Sequence, residues 1–184
     1  MRKWLICLLL ISAHAGAATE RAIEHEVLVA ATVEKVWDSW TTSAGVKTFF
    51  APDANVERRV DGPYQIYFDP LAEPGMKGAD DMRILAIQDK QMLSFTWNAP
   101  PNFAEARKQR TFVILRFYPE PAGKTRVKLH HTGWGSGGEW DKTYAYFERV
   151  WPNVLNNLVK RFDSGPIDWT EWMEALRKMR SQQK

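Results

Sequence analysis

A single cysteine, Cys7, stands among 184 residues. It sits within the first apolar stretch, too early and too poorly flanked to accept a lipid. If that stretch is removed, the mature chain has no thiol, which excludes disulfides, thiolate metal sites and cysteine nucleophiles. Long apolar runs are missing as well. The one candidate, Trp4 to Ile11, is too short to cross a bilayer. It follows Met1-Arg2-Lys3 and leads into the mostly small residues Ala13 to Ala18, with Ala15-Gly16-Ala17 suited to cleavage. That layout predicts a secretory signal over residues 1–18 and a periplasmic or secreted protein. A buried N-terminal strand is the competing reading. Surplus charge is also lacking. Of the 25 basic residues, Arg2 and Lys3 lie in the expected signal, which leaves 23 against 22 acidic ones. The sequence pI near 9.0 therefore gives no case for nucleic acid. There is no internal repeat, no His/Asp/Glu cluster at metal spacing and no Ser/His/Asp arrangement with supporting motifs. Neither metal nor cofactor is expected, and no residue stands out as a convincing catalytic group.

What the chain has is aromatic mass, with nine Trp and nine Phe, which favours a wide apolar interior over a polar cleft. The longest coherent pattern runs from Glu139 to Phe162. Trp140, Tyr144, Phe147, Trp151, Val154, Leu155, Leu158 and Phe162 recur at three- and four-residue spacing, with charged and amide residues between them. That is an amphipathic helix with a broad apolar face. Pro152 within it removes a backbone hydrogen bond and crowds the carbonyl of Glu148, which predicts a bend near Trp151. Leu155, Leu158 and Phe162 would then anchor the helix, while Tyr144, Phe147 and Trp151 roof a pocket.

The rest of the chain reads mainly as strands. Arg21 to Ala30 alternates as a half-buried strand. Thr32 is placed to cap a helix over Val33 to Trp40, and a second short helix fits Ser43 to Phe50, stopped by Pro52. Strand patterns follow over Asn55–Val60, Pro63–Phe68, Met82–Gln88, Met92–Trp97, Thr111–Tyr118 and Thr125–Thr132. Their short connections imply an antiparallel meander. Two longer loops, Pro70–Asp81 and Asn98–Arg110, interrupt it, and Asp80-Asp81 reads as solvated. Alternation turns Val113, Leu115 and Phe117 inward with Arg116 outward, and Val127, Leu129 and His131 inward with Lys128 outward. Tyr64, Ile66, Phe68, Phe95 and Trp97 fall on the same concave side. After Gly165, Asp168-Trp169-Thr170-Glu171 has the form of a capping box opening a short helix with Arg177, Lys178, Arg180 and Lys184 at its end. That helix either packs on the domain or acts as a foot on a membrane surface.

The order of strand, two short helices, six strands and long helix resembles the START-like helix-grip superfamily, the polyketide cyclase/dehydrase and lipid-transport group. Within it, the chain is similar to the branch named for activators of the heat-shock ATPase. The resemblance rests on Val36-Trp37, on Gly45 to Pro52, on Gly62-Pro63-Tyr64, on Leu93 to Trp97, on Thr125 to Leu129, on His131-Thr132-Gly133 and on Trp151 to Leu158. Departures are Phe49 in place of the usual Trp, Asp61 where Gly-Gly is common, and Val150 where Gly often precedes Trp151. The signal peptide and the C-terminal helix are atypical too. The resemblance implies an α+β helix-grip fold, a curved antiparallel sheet of about seven strands around a long helix, over residues 19–164, with 165–184 as a helical extension. An exported protein would not meet a cytosolic chaperone, so no heat-shock chaperone is expected as partner.

The fold so implied usually leaves a cavity between helix and sheet, for a small hydrophobic ligand such as a lipid or aromatic metabolite. Its lining would come from Phe95, Trp97, Phe117, Leu129, His131, Tyr144, Phe147 and Trp151, with the two long loops at its entrance. The same aromatics could equally fill a solid core. His25 and His131, both inward, are candidate acid/base residues for a cyclase, hydratase or hydrolase; the plainer reading of each is a hydrogen-bonded core histidine. The Gly133–Gly138 stretch resembles a phosphate-cradling loop only superficially, since no parallel strand follows the helix it opens.

Overall fold

Eight strands and five α-helices follow one another in the computed structural model, which describes residues 20–182; the expected signal at 1–18 lies outside the described residues. They are β1 (Ile23–Val29), α1 (Val33–Thr41), α2 (Ser43–Val46), β2 (Asp53–Val56), β3 (Tyr64–Tyr67), β4 (Gly78–Ala79), β5 (Ile84–Gln88), β6 (Met92–Trp97), α3 (Ala104–Arg107), β7 (Thr111–Glu120), β8 (Lys124–Thr132), α4 (Gly138–Ser164) and α5 (Thr170–Ser181). The architecture is α+β, a curved antiparallel sheet holding one long helix, as the sequence pattern implied.

The sheet has eight strands rather than seven, in a five-stranded group ordered β1-β8-β7-β6-β5 and a three-stranded group β2-β3-β4. A bridge between Pro63 and Arg83 joins the two. Around it, the Tyr64 N–H donates to the Met82 carbonyl at 2.8 Å and the Ile84 N–H to the Gly62 carbonyl at 2.9 Å. Asp61 supplies the turn there with φ 59°. That is the left-handed region, which Asp tolerates through its short polar side chain.

Inward and outward faces follow the alternation. Val113, Leu115, Phe117, Val127, Leu129 and His131 are all buried, as are Tyr64, Ile66, Phe95 and Trp97. Each large side chain so buried contributes on the order of 1.5–3 kcal/mol, which fixes the register, since a one-residue slip would expose the whole set. α4 packs against β1 and buries Phe147, Trp151, Val154, Leu155 and Leu158. Its helical conformation continues on both sides of Pro152.

Four local expectations are corrected. α2 ends at Val46, and residues 47–50 continue as tight turns. Gly45 is what brings α2 onto α1, since a Cβ there would stand 2.2 Å from the Asp38 carbonyl oxygen. β2 is Asp53–Val56, because pairing with β3 stops at Val56–Tyr64 and the following residues turn, leaving Val60 60% exposed. The caps differ as well. The Thr32 hydroxyl does not cap α1, although the Thr32 carbonyl accepts from the Val36 N–H at 3.1 Å. At α5 the Asp168 carboxylate accepts from the Thr170 N–H and hydroxyl, at 2.9 and 2.6 Å, which closes a turn rather than a capping box. Finally, β4 and α3 sit inside the two long loops; at two and four residues they are too short to show a period.

α5 lies against the domain. The Trp169 indole donates to the Lys47 carbonyl at 2.7 Å, the Trp172 indole to the Phe68 carbonyl at 2.8 Å, and Arg180 pairs with Asp69 at 2.8 Å. Leu176 is its buried anchor.

Candidate ligand cavity

A cavity of about 420 Å³ opens between α4 and the two long loops. α4 supplies Phe147, Val150, Trp151 and Val154, which share one face at i, i+3, i+4 and i+7. Opposite them stand Phe50 after α2, Phe68 at the end of β3 and Trp97 at the end of β6. Two near-parallel ring pairs form much of the wall, Phe50 with Trp97 (5.8 Å, 17°) and Phe147 with Trp151 (6.1 Å, 27°). Met76, Ala79, Ala99 and the rigid Pro100-Pro101 pair complete the apolar surface, while Asp69, Lys77, Asn98 and Tyr146 bring polar groups to it. Burial pushes the Tyr146 phenol upward, so it stays protonated at neutral pH. A volume of this size with mostly apolar walls and a few polar groups suits a small organic molecule.

The two loops at the mouth are tied together by a buried ion pair. Arg107 of α3 reaches Asp80 at 3.3 Å, their side chains 13% and 10% exposed. The guanidinium also donates to the carbonyls of Gly75 and Gly78, each at 2.7 Å, and to that of Ala99. Asp80 accepts from the N–H groups of Gly75 and Gly78 at 3.0 Å. With the Asn98 amide oxygen assigned toward Arg107, two more acceptor contacts form at 3.0 and 3.3 Å. Desolvation lowers the Arg107 pKa, and the Asp80 charge opposes that shift. Asp80 is therefore a loop-bracing residue, not the solvated one that the sequence suggested. α3 is braced in turn by Glu139 of α4, whose carboxylate accepts from the N–H groups of Glu105 and Ala106 at 2.7 and 3.0 Å.

Of the eight residues expected around the cavity, Trp97, Phe147 and Trp151 line it. Five lie elsewhere, each for a packing reason. Phe95 stacks on Tyr64 at 4.0 Å beneath the wall. Phe117 meets Trp37 edge-on at 5.2 Å under α1, and Leu129 is enclosed at 2% exposure in the sheet. Tyr144 is turned toward β1: its hydroxyl donates to the Ala22 carbonyl at 2.8 Å and Arg21 lies 3.9 Å over its ring. Tyr146 takes the place at the cavity that was expected of Tyr144.

His131 is the fifth, and its geometry fixes its chemistry. An indole N–H can only donate, so the 2.9 Å contact from Trp151 Nε1 makes His131 Nδ1 an acceptor. The proton is then on Nε2, which donates to Thr111 Oγ1 at 2.7 Å, and Thr111 Oγ1 donates onward to the Trp97 carbonyl at 3.4 Å. Burial holds the imidazole well below its ordinary pKa. His131 is thus a neutral core residue with both nitrogens engaged. It stands behind the cavity and positions two of its walls, Trp151 and Trp97. His25 is half-buried on β1, opposite Leu129, and no hydrogen bond joins it to His131.

The glycine-rich stretch turns the chain out of β8, with Gly133, Gly137 and Gly138 at φ 83°, 74° and 54°. The first turn of α4 carries Glu139 and Asp141, and two carboxylates there disfavour a second anion. No group of three or more potential metal-ligating side chains occurs among the described residues.

Phe50, Met76, Asn98, Tyr146 and Val150 are cavity residues that pattern reading missed, while Phe68 and Val154 were read as inward but not assigned to the cavity. Phe50 and Asn98 lie just past element ends, where periodicity is silent. Val150 could have been found by widening the helical stripe through Phe147, Trp151 and Val154.

Comparisons with known proteins agree with this architecture. The sequence model of the family described as "Activator of Hsp90 ATPase homolog 1-like protein" matches residues 30–163. Among solved structures, protein MLL2253 from Mesorhizobium loti superposes with a TM-score of 0.63 at 20% identity, covering 80% of this chain and 100% of its own. The Aha1 dimer from Colwellia psychrerythraea gives 0.60 at 17% identity, over 79% and 98%. PFC0360w from Plasmodium falciparum, described as an HSP90 activator, gives 0.58 at 14% identity, over 79% and 97%. At these identities the likeness is one of fold. No curated protein matches the sequence.

Proposed function

Since the chain belongs to the family of activator of Hsp90 ATPase homolog 1-like proteins, we propose that it uses the cavity of this fold as an exported carrier or binding protein for a small hydrophobic ligand, a lipid or an aromatic metabolite. One observation carries the reading: a cavity of roughly 420 Å³ beside α4 is walled largely by aromatic rings. Rings held apart around an open cleft leave apolar surface in contact with water, and an apolar ligand would cover it. A ligand burying about 300 Å² of apolar surface there would gain about 7 kcal/mol before association costs. Those costs are at least about 4 kcal/mol, so binding rests on how rigidly the walls are preset.

The relay from Trp151 through His131 and Thr111 to Trp97 supplies that rigidity. It also argues against His131 as the acid/base group of a cyclase, hydratase or hydrolase, since neither nitrogen reaches the cavity. The leader-like start of the sequence supports export to the periplasm or beyond, where a cytosolic chaperone would not be met. The activity in the description of the Plasmodium protein stays with that protein.

Titration with the apolar dye N-phenyl-1-naphthylamine tests the reading. The protein should bind it saturably, and Val150→Trp, which fills the cavity from α4, should weaken uptake at least tenfold while leaving the fold intact. Uptake that never saturates, or that Val150→Trp leaves unchanged, would remove the proposal.

A further inference from the structure

We infer that the cavity takes an uncharged carbonyl compound, whose oxygen accepts from the Tyr146 hydroxyl and the Asn98 amide; the inference rests on the carrier reading and names the chemistry carried. The lining has few polar groups, and its acceptors are largely engaged already. The Phe68 carbonyl accepts from the Trp172 indole, that of Lys77 from the Asp69 N–H, and those of Gly78 and Ala99 from Arg107. The Pro100 carbonyl accepts from the Phe103 N–H at 3.0 Å, and Pro100 and Pro101 have no N–H of their own. Donors are what remain. The Tyr146 hydroxyl makes no hydrogen bond among the described residues, and its ring packs only on Phe147 at 5.0 Å and Phe103 at 6.4 Å. Asn98 is 5% exposed, and with its oxygen on Arg107 its amide nitrogen makes no hydrogen bond to a described residue. A nearly buried N–H without an acceptor is costly, and a ligand oxygen would relieve it. Both donors belong to one side of the cavity, since Tyr146 meets Phe103 of the loop that begins at Asn98.

Charge around the site disfavours an ion. Asp69 pairs with Arg180 at 2.8 Å and accepts from the Leu71 N–H as well. Arg107 is held by Asp80 and by loop carbonyls. Lys77 is the one cation of the lining among the described residues, and its ammonium lies 5.4 Å from the centroid of the Tyr67 ring. Tyr67 alternates to the face of β3 opposite Ile66 and Phe68, where burial and the charges of Asp80, Asp53 and Asp81 raise its pKa. That ammonium therefore sits among carboxylates on the far side of the strand. Glu73, Glu171 and Glu174 are exposed, and none of them lines the cavity. A ligand carboxylate would pass these acids and meet no free cation, while a ligand ammonium would find Asp69 already paired. Either ion would be desolvated without a counter-charge. A carbonyl oxygen brings no such cost and meets two donors.

The test displaces bound N-phenyl-1-naphthylamine with three matched probes: benzophenone, which has the carbonyl, diphenylmethane, which lacks it, and diphenylacetate, which is an anion. Each is titrated into the wild type, Tyr146→Phe and Asn98→Asp. The first variant removes only a hydroxyl, and the second keeps an acceptor for Arg107 while losing the N–H. Each should lower the affinity for benzophenone relative to that for diphenylmethane by about fivefold. In the wild type diphenylacetate should bind at least about tenfold more weakly than benzophenone. Saturable dye uptake with a ketone-to-hydrocarbon ratio that Tyr146→Phe leaves unchanged, or with diphenylacetate binding as tightly as benzophenone, would overturn this inference and leave the carrier reading standing. No saturable uptake of the dye or of any probe would remove both.

Discussion

The neutrality of His131 makes a quantitative claim about stability. Its folded-state pKa is depressed by burial, while in the unfolded chain it titrates near the ordinary value of about 6.5. Above that value neither state binds the proton, and the native contacts count in full. Below it the unfolded state takes up a proton that the folded state refuses, so stability falls as pH falls until the folded pKa is reached. Between about pH 7.5 and about pH 5.5 this one group should remove about 1 kcal/mol. The carboxylates whose pKa values are lowered, Glu20 through its bond from Thr132, Glu26 through Lys128 and Asp141 through Arg21, act at lower pH. The perturbation that isolates the effect is His131→Leu. It leaves the Trp151 N–H without an acceptor, whereas Thr111 keeps the Trp97 carbonyl, so it should cost about 1–3 kcal/mol at neutral pH. Urea unfolding of both proteins across the range gives the two slopes. The wild type should show the extra loss and the variant should lack it. Parallel pH profiles, or a nitrogen NMR spectrum placing the proton on Nδ1 at neutral pH, would refute the tautomer and the relay built on it.

Two further outcomes follow from the packing. Arg107→Met strands Asp80 in a site where the pair is 13% and 10% exposed; it should lower unfolding free energy by about 3 kcal/mol and speed proteolysis within residues 70–81, and an unchanged cleavage pattern would count against the loop-bracing role. Gly45→Ala drives a Cβ to 2.2 Å from the Asp38 backbone oxygen, so thermal unfolding should show a loss of at least about 1 kcal/mol, and a neutral result would mean that α1 and α2 separate at little cost.

Much of the fold was legible because it rests on periodicity. Val113-Ile114-Leu115-Arg116-Phe117 alternates, and its odd members are buried; the stripe through Phe147, Trp151 and Leu158 marks the buried face of α4. β4 and α3 were not legible, since two or four residues carry no period. The site divides along the same line. Trp97, Phe147 and Trp151 sit on strong patterns, but the pattern says only that they face inward. It could not separate them from Phe95, Phe117, Leu129 and His131, which face inward just as well and meet other side chains instead of the cavity.

By itself the sequence determined the class of fold, the inner and outer face of most strands and the helix at the centre, because each is a property of local spacing. Which inward residues border empty space was decided only by tertiary structure. It depends on how far the two loops stand from α4, and that distance is set by contacts remote in sequence, Arg107 with Asp80 and Glu139 with Glu105. The proton on His131 belongs to the same class. Only the approach of Trp151 from α4, twenty residues along the chain, turns a histidine that could donate, accept or titrate into one that does nothing but hold two walls in place.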